Sequence, residues 1–113
     1  MSALHLPECL LTALLAASVP LLADAQDKAA PEKWGHDLLA AKCSRCHAVE
    51  RAGASPDREA PTFRTLSKKY PIEVLAEALA EGLSVGHPDM PEFVFEPYDI
   101  SAILAYLKSI QER

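Results

Sequence analysis

Cys43-Ser44-Arg45-Cys46-His47 constrains this chain more than any other five residues in it. Two thiols three positions apart, with a histidine directly after them, occupy little more than one turn of chain. A disulfide between them would close a tiny loop and stabilise little. Each thiol can instead add across one vinyl group of a single haem, and the adjacent imidazole then offers a nitrogen to the iron. C-x-x-C-H is the attachment pattern for haem of the c type. A fold that accepts this arrangement has to close around a flat apolar body held at one point of the sequence.

Other uses of a cysteine pair fit less well. C-x-x-C occurs in redox disulfides and as half of many zinc sites. A thioredoxin-like pair sits in a βαβ context, and no strand-like alternation precedes Cys43. A structural zinc site needs a second pair of ligands, yet the third cysteine, Cys9, lies in a segment expected to be removed, and His36 and His87 stand alone. One haem c, covalent through Cys43 and Cys46 with His47 as iron ligand, is the expectation.

Length sets the next limit. The 113 residues suit one domain. Leu10 to Leu22 is almost all Leu, Ala and Val, too short to span a bilayer comfortably, and Ala23-Asp24-Ala25 supplies the small residues that precede a signal-peptidase cut. Residues 1–25 therefore read as a signal peptide and 26–113 as the exported domain. Met1 to Glu8 carries no Lys or Arg, unlike the usual start of such a signal, so retention as an anchor is the alternative. Cys9 precedes the apolar run and is not placed to carry a lipid. The 88 residues that follow the cut lie near the lower end for a self-sufficient core. A bound haem would enlarge that core.

A haem that carries electrons usually has its second axial position filled. The chain has two methionines, and Met1 falls in the signal, which leaves Met90, 43 positions beyond His47. Pro88 and Pro91 frame it, fixing φ on both sides and lowering the entropy lost on ordering. Such a loop can present a weak thioether ligand, and methionine raises the potential of the iron. His87 is the rival ligand and would give a bis-histidine site of lower potential. His36 is expected to face solvent, and His5 lies in the signal. A ligating imidazole generally donates its other N–H to a carbonyl, for which Pro61, in Ala60-Pro61-Thr62-Phe63, is the candidate. Trp34 and Tyr70 carry N–H and O–H groups within reach of either a propionate or the core, and both remain unassigned.

The remaining pattern is all-α. A leader over 26–31 precedes a helix from about Lys33 to Lys42, with Leu38 and Leu39 facing inward. Breakers mark a loop over 48–61, and a short helix is expected over Phe63 to Lys69. Pro71 opens another helix, whose stripe of Ile72, Leu75, Ala76 and Leu79 ends at Gly82. The last helix starts near Pro97 and carries Ile100, Ile103, Leu104, Leu107 and Ile110 on one face.

After residue 25 there are 11 basic and 14 acidic residues, and they are unevenly placed. Lys42 to Lys69 is basic on balance, whereas Tyr70 to Leu107 holds seven acids and no Lys or Arg. This implies either a dipole that steers encounter with charged protein partners or two ordinary solvated faces. The acidic total does not suit nucleic acid.

With these residues in view, the chain resembles class I cytochrome c, the small monohaem type, over nearly all of 26–113. Gly35 stands eight residues before Cys43, where that family places the glycine at which its first and last helices cross. Ile103-Leu104-Ala105-Tyr106-Leu107-Lys108 resembles its last-helix signature, and Leu39 departs from the family by replacing an aromatic. Ala60-Pro61-Thr62-Phe63 and Asp89-Met90-Pro91 resemble the proline and methionine loops of short bacterial members. The resemblance implies three to five helices around one mostly buried haem with an exposed edge. It implies a soluble periplasmic electron carrier, not an enzyme, that meets redox partner proteins rather than a small-molecule substrate, and touches membranes only through those partners unless the signal is retained. A dedicated cytochrome subunit of a larger dehydrogenase is the alternative, and a haem-based gas or redox sensor a third.

Overall fold

A computed structural model describes residues 23–82 and 88–113. Among the described residues there are three α-helices, α1 (Ala23–Lys42), α2 (Leu75–Glu81) and α3 (Pro97–Ile110), two 3-10 turns over Phe63–Lys68 and Ile72–Val74, and no strand. The fold is all-α. The apolar run Leu10 to Leu22, with Cys9, His5 and Met1, lies outside the described residues, as does His87.

The structure corrects the start of the first helix. Expected from Lys33, α1 begins at Ala23 and runs through Pro31, so the segment read as a leader is helical. Gln26 to Ala30 is rich in helix formers, and α1 continues although Pro31 lacks an amide donor and its ring crowds the carbonyl four residues before it. The boundary expected after Ala25 falls inside this helix.

α3 is built as its sequence suggests. Pro97 stands in its first turn, where its missing N–H costs nothing, and Asp99 there and Lys108 in the last turn are each suited to the helix dipole. Its buried stripe is Ile100, Ile103, Tyr106, Leu107 and Ile110, joined by Ala102, and Ile103 is fully buried. α1 packs mainly against α3. Gly35 sits at their contact: a Cβ there would collide with the Ala102 carbonyl and lie 2.9 Å from the Ile103 nitrogen. Trp34 on α1 donates from Nε1 to Asp99 Oδ1 at 2.8 Å, holding the two helices together from outside. Leu39 is buried in the core, while Leu38 packs beside it half-buried.

α2 follows the 3-10 turn over Ile72–Val74 and ends at Gly82, whose φ of +105° only glycine adopts freely. Beyond it, residues 92–96 alternate. Phe93 and Phe95 turn inward while Glu92, Val94 and Glu96 are exposed, and the Phe95 amide donates to the Leu79 carbonyl at 2.9 Å.

The far end of α3 is pinned by polar side chains. Gln111 Nε2 donates to the carbonyls of Phe63 (2.8 Å) and Leu107 (2.7 Å), and its Oε1 accepts from the Ser67 amide at 2.8 Å. Glu112 meets Arg64 Nε and Lys68 Nζ, each at 3.0 Å. These bonds fasten the Phe63–Lys68 turn to α3 beneath the loop of residues 48–61.

Candidate functional site

The cysteine pair continues α1 as a turn. The Cys43 amide donates to the Leu39 carbonyl at 2.8 Å, and the amides of Cys46 and His47 both return to the Cys43 carbonyl, at 3.2 and 2.9 Å. Ser44 Oγ donates to the Ala40 carbonyl. This winding brings Cys43, Cys46 and His47 to one wall of a single cleft of about 670 Å³, within the roughly 300–1,000 Å³ range of ligand sites. Leu39, Leu66, Leu79, Phe95, Ile103 and Leu107 form its apolar floor, and Asp89-Met90-Pro91 contributes a further wall. The four residues expected to hold a cofactor thus come together, although Met90 is 43 positions from His47.

Both thiols are free. Burial pushes the Cys43 thiol up to about 11, opposed in part by the Lys42 charge, so at neutral pH it is a protonated, apolar group. The environment suits a sulfur that carries no charge. His47 is oriented from behind: its Nδ1 lies 2.7 Å from the Pro61 carbonyl, the partner expected. A carbonyl only accepts, so Nδ1 carries a proton, which in a neutral ring leaves the lone pair on Nε2. The Phe63 ring, tilted by 34°, lies 4.7 Å from the imidazole centroid and restricts its rotation.

The loop behind His47 is tied at short intervals. The Ala48 amide donates to Ser55 Oγ (3.0 Å), the Phe63 amide to the Ala48 carbonyl (3.0 Å) and the Asp57 amide to the Cys46 carbonyl (3.1 Å). Tyr106 on α3 donates its buried hydroxyl to the Val49 carbonyl at 2.7 Å. The sequence pattern does not disclose the Tyr106–Val49 partnership, because it joins residues 57 positions apart that meet only once α3 has packed.

The unassigned aromatics separate. Tyr70 lines the cleft, its phenol raised by burial, whereas Trp34 is spent on Asp99 at the helix crossing. His36 departs from the solvent-facing expectation. It is half-buried, hydrogen-bonded to Glu50 and edge-on to Tyr106, because the close crossing at Gly35 brings α3 against this part of α1. The cleft lining carries both signs of charge, Lys42 and Arg45 alongside Asp57, Glu59 and Asp89. Lys42 Nζ also stands 5.7 Å over the Phe93 ring.

An all-helical domain with an apolar cleft, two free thiols and a pre-oriented imidazole at its edge is the frame of a covalent haem protein. The chain belongs to the cytochrome c family, whose model matches residues 33–111. The family carries haem c on a cysteine pair and generally acts in electron transfer, and Cys43 and Cys46 have the spacing for that attachment. No curated protein and no solved structure matches the chain significantly.

Proposed function

We propose that the protein is a periplasmic carrier of single electrons, with residues 1–25 as export signal, 26–113 as the working domain, and a haem iron held between His47 and Met90. The observation that carries this reading is the meeting of His47, Met90 and both thiols in one apolar cleft. Bound there, the haem supplies a one-electron iron couple whose potential the axial ligands tune.

The chain's own residues supply the rest. Cys43 and Cys46 would anchor the ring covalently, so that the small domain would not lose it. Pro61 fixes the His47 tautomer and leaves Nε2 as the donor atom. Met90 is a weak donor, and Pro91 beside it, with the Phe95–Leu79 hydrogen bond beyond, limits how far its segment can move. Among the described residues no helix is long and apolar enough to cross a membrane. Charged side chains at the cleft favour brief, charge-guided contact with donor and acceptor proteins over permanent burial in a larger complex.

The test is the protein isolated from the periplasm of cells with a working cytochrome maturation system. Its mass should begin at Gln26 and exceed the polypeptide by one haem that survives acid-acetone extraction. A folded, colourless product with both thiols free would overturn the reading. Cys43→Ser and Cys46→Ser should yield little stable holoprotein.

A further inference from the structure

Two helices each send one side chain to the segment that follows His47. From α3, the Tyr106 hydroxyl donates to the Val49 carbonyl at 2.7 Å. From α1, His36 Nε2 lies 2.7 Å from Glu50 Oε1. The two rings touch edge to face, with centroids 5.1 Å apart and planes at 71°. The other His36 nitrogen, Nδ1, lies 3.2 Å from Asp37 Oδ1. Both partners are carboxylates, which only accept when ionised. A neutral imidazole has one N–H and serves one of them, whereas an imidazolium serves both.

We propose that His36 is a positioning residue that binds a proton to clamp Glu50, and that it and Tyr106 together fix the segment behind His47, so that loss of the proton loosens that fastening as pH rises.

The charges facing His36 agree with this. On its own helix stands Asp37, paired with Lys33 at 2.6 Å. In the loop stand Glu50 and Arg51, and Arg51 Nη1 is turned to the Ser109 carbonyl at 2.7 Å. From α3 comes Tyr106, whose phenol is itself raised by burial. The Glu50 hydrogen bond is the largest influence on His36 and raises it above 6.5, against the lowering effect of partial burial. A group raised in the folded state gives stability that is fully present below its unfolded value and is lost as pH climbs through its folded value. His36 is 31 % exposed, so the proton has a path to solvent.

The experiment uses the haem-loaded protein. In the ferrous form, the His36 ring resonances should titrate above 6.5, and in Glu50→Gln the midpoint should fall back towards that value. Between about pH 6 and pH 8 the melting temperature of the unaltered protein should decline relative to that of His36→Gln, which keeps a donor for Glu50 without a titrating proton. A His36 midpoint at or below 6.5, or melting curves for the two proteins that run parallel with pH, would overturn the proposal. Should His36→Gln fold poorly, the ring titration in the unaltered protein and in Glu50→Gln decides. The bearing of the clamp on His47 rests on the haem ligation proposed above. Failure of that reading gives colourless protein; failure of the clamp gives coloured protein with parallel curves.

Discussion

Gly35 on α1 and Ala102 on α3 meet backbone to backbone, so closely that a methyl group on Gly35 would overlap the Ala102 carbonyl. The crossing therefore depends on the absence of a side chain at one position. Gly35→Ala has no flexible neighbour to displace and must move a helix. It should cost about 1–3 kcal/mol as an overpacked core substitution does, read as a lower denaturant midpoint of the holoprotein with little change in slope.

Tyr106→Phe leaves the ring in place and removes the hydroxyl that serves the Val49 carbonyl. A buried acceptor left without its donor should cost about 1–3 kcal/mol. The loss should appear in equilibrium unfolding while the visible spectrum stays that of the unaltered protein, since His47 keeps its bond to Pro61.

Met90→Ala should abolish the long-wavelength sulfur-to-iron charge-transfer band of the oxidised protein and lower the reduction potential. The ferrous variant should then bind carbon monoxide, which the unaltered protein should resist. Persistence of the band in the variant would show that another group is the ligand. Carbon monoxide binding by the unaltered protein would favour a sensing role.

Glu112 joins Arg64 and Lys68 across the end of α3, and the hydrogen bond from Lys68, then that from Arg64, lowers its carboxyl below 4.5. Its stabilising effect is present above that unfolded value and disappears as pH falls through the folded one. Stability should therefore drop more steeply on acidification in the unaltered protein than in Glu112→Gln. The difference should shrink in about 1 M salt, because the carboxylate is exposed and screened.

The candidate site was legible as a set of residues because the cysteine pair and His47 are chemically unusual and locally spaced, and the structure brings them to one cleft with Met90. C-x-x-C-H marks His47 as the expected iron ligand, elimination leaves Met90 as the expected second one, and what a ligating imidazole needs points to Pro61, the partner that His47 Nδ1 has. α3 was legible from its 3.6-residue apolar period, and Gly35 from the resemblance to class I cytochrome c, which implies a glycine eight residues before the first cysteine. What stayed hidden was long-range and polar. His36 looked like a surface residue because nothing near it in sequence announces Glu50, 14 positions away, or Tyr106. Gln111 gave no signal, yet it makes three hydrogen bonds that join two elements. The early start of α1 is not legible in 26–31, because an interior proline disfavours a helix, yet α1 runs through Pro31.

The alternation over residues 92–96 makes that stretch sensitive to its length in a particular way. Deleting one residue between Met90 and Phe95 would reverse the side-chain order, aiming carboxylates at the cleft and leaving phenyl rings in water. Deleting two would preserve the order and only tighten the span. Descendants of this chain should accordingly vary here by pairs, and a single-residue change should survive only where a bulge restores the phase.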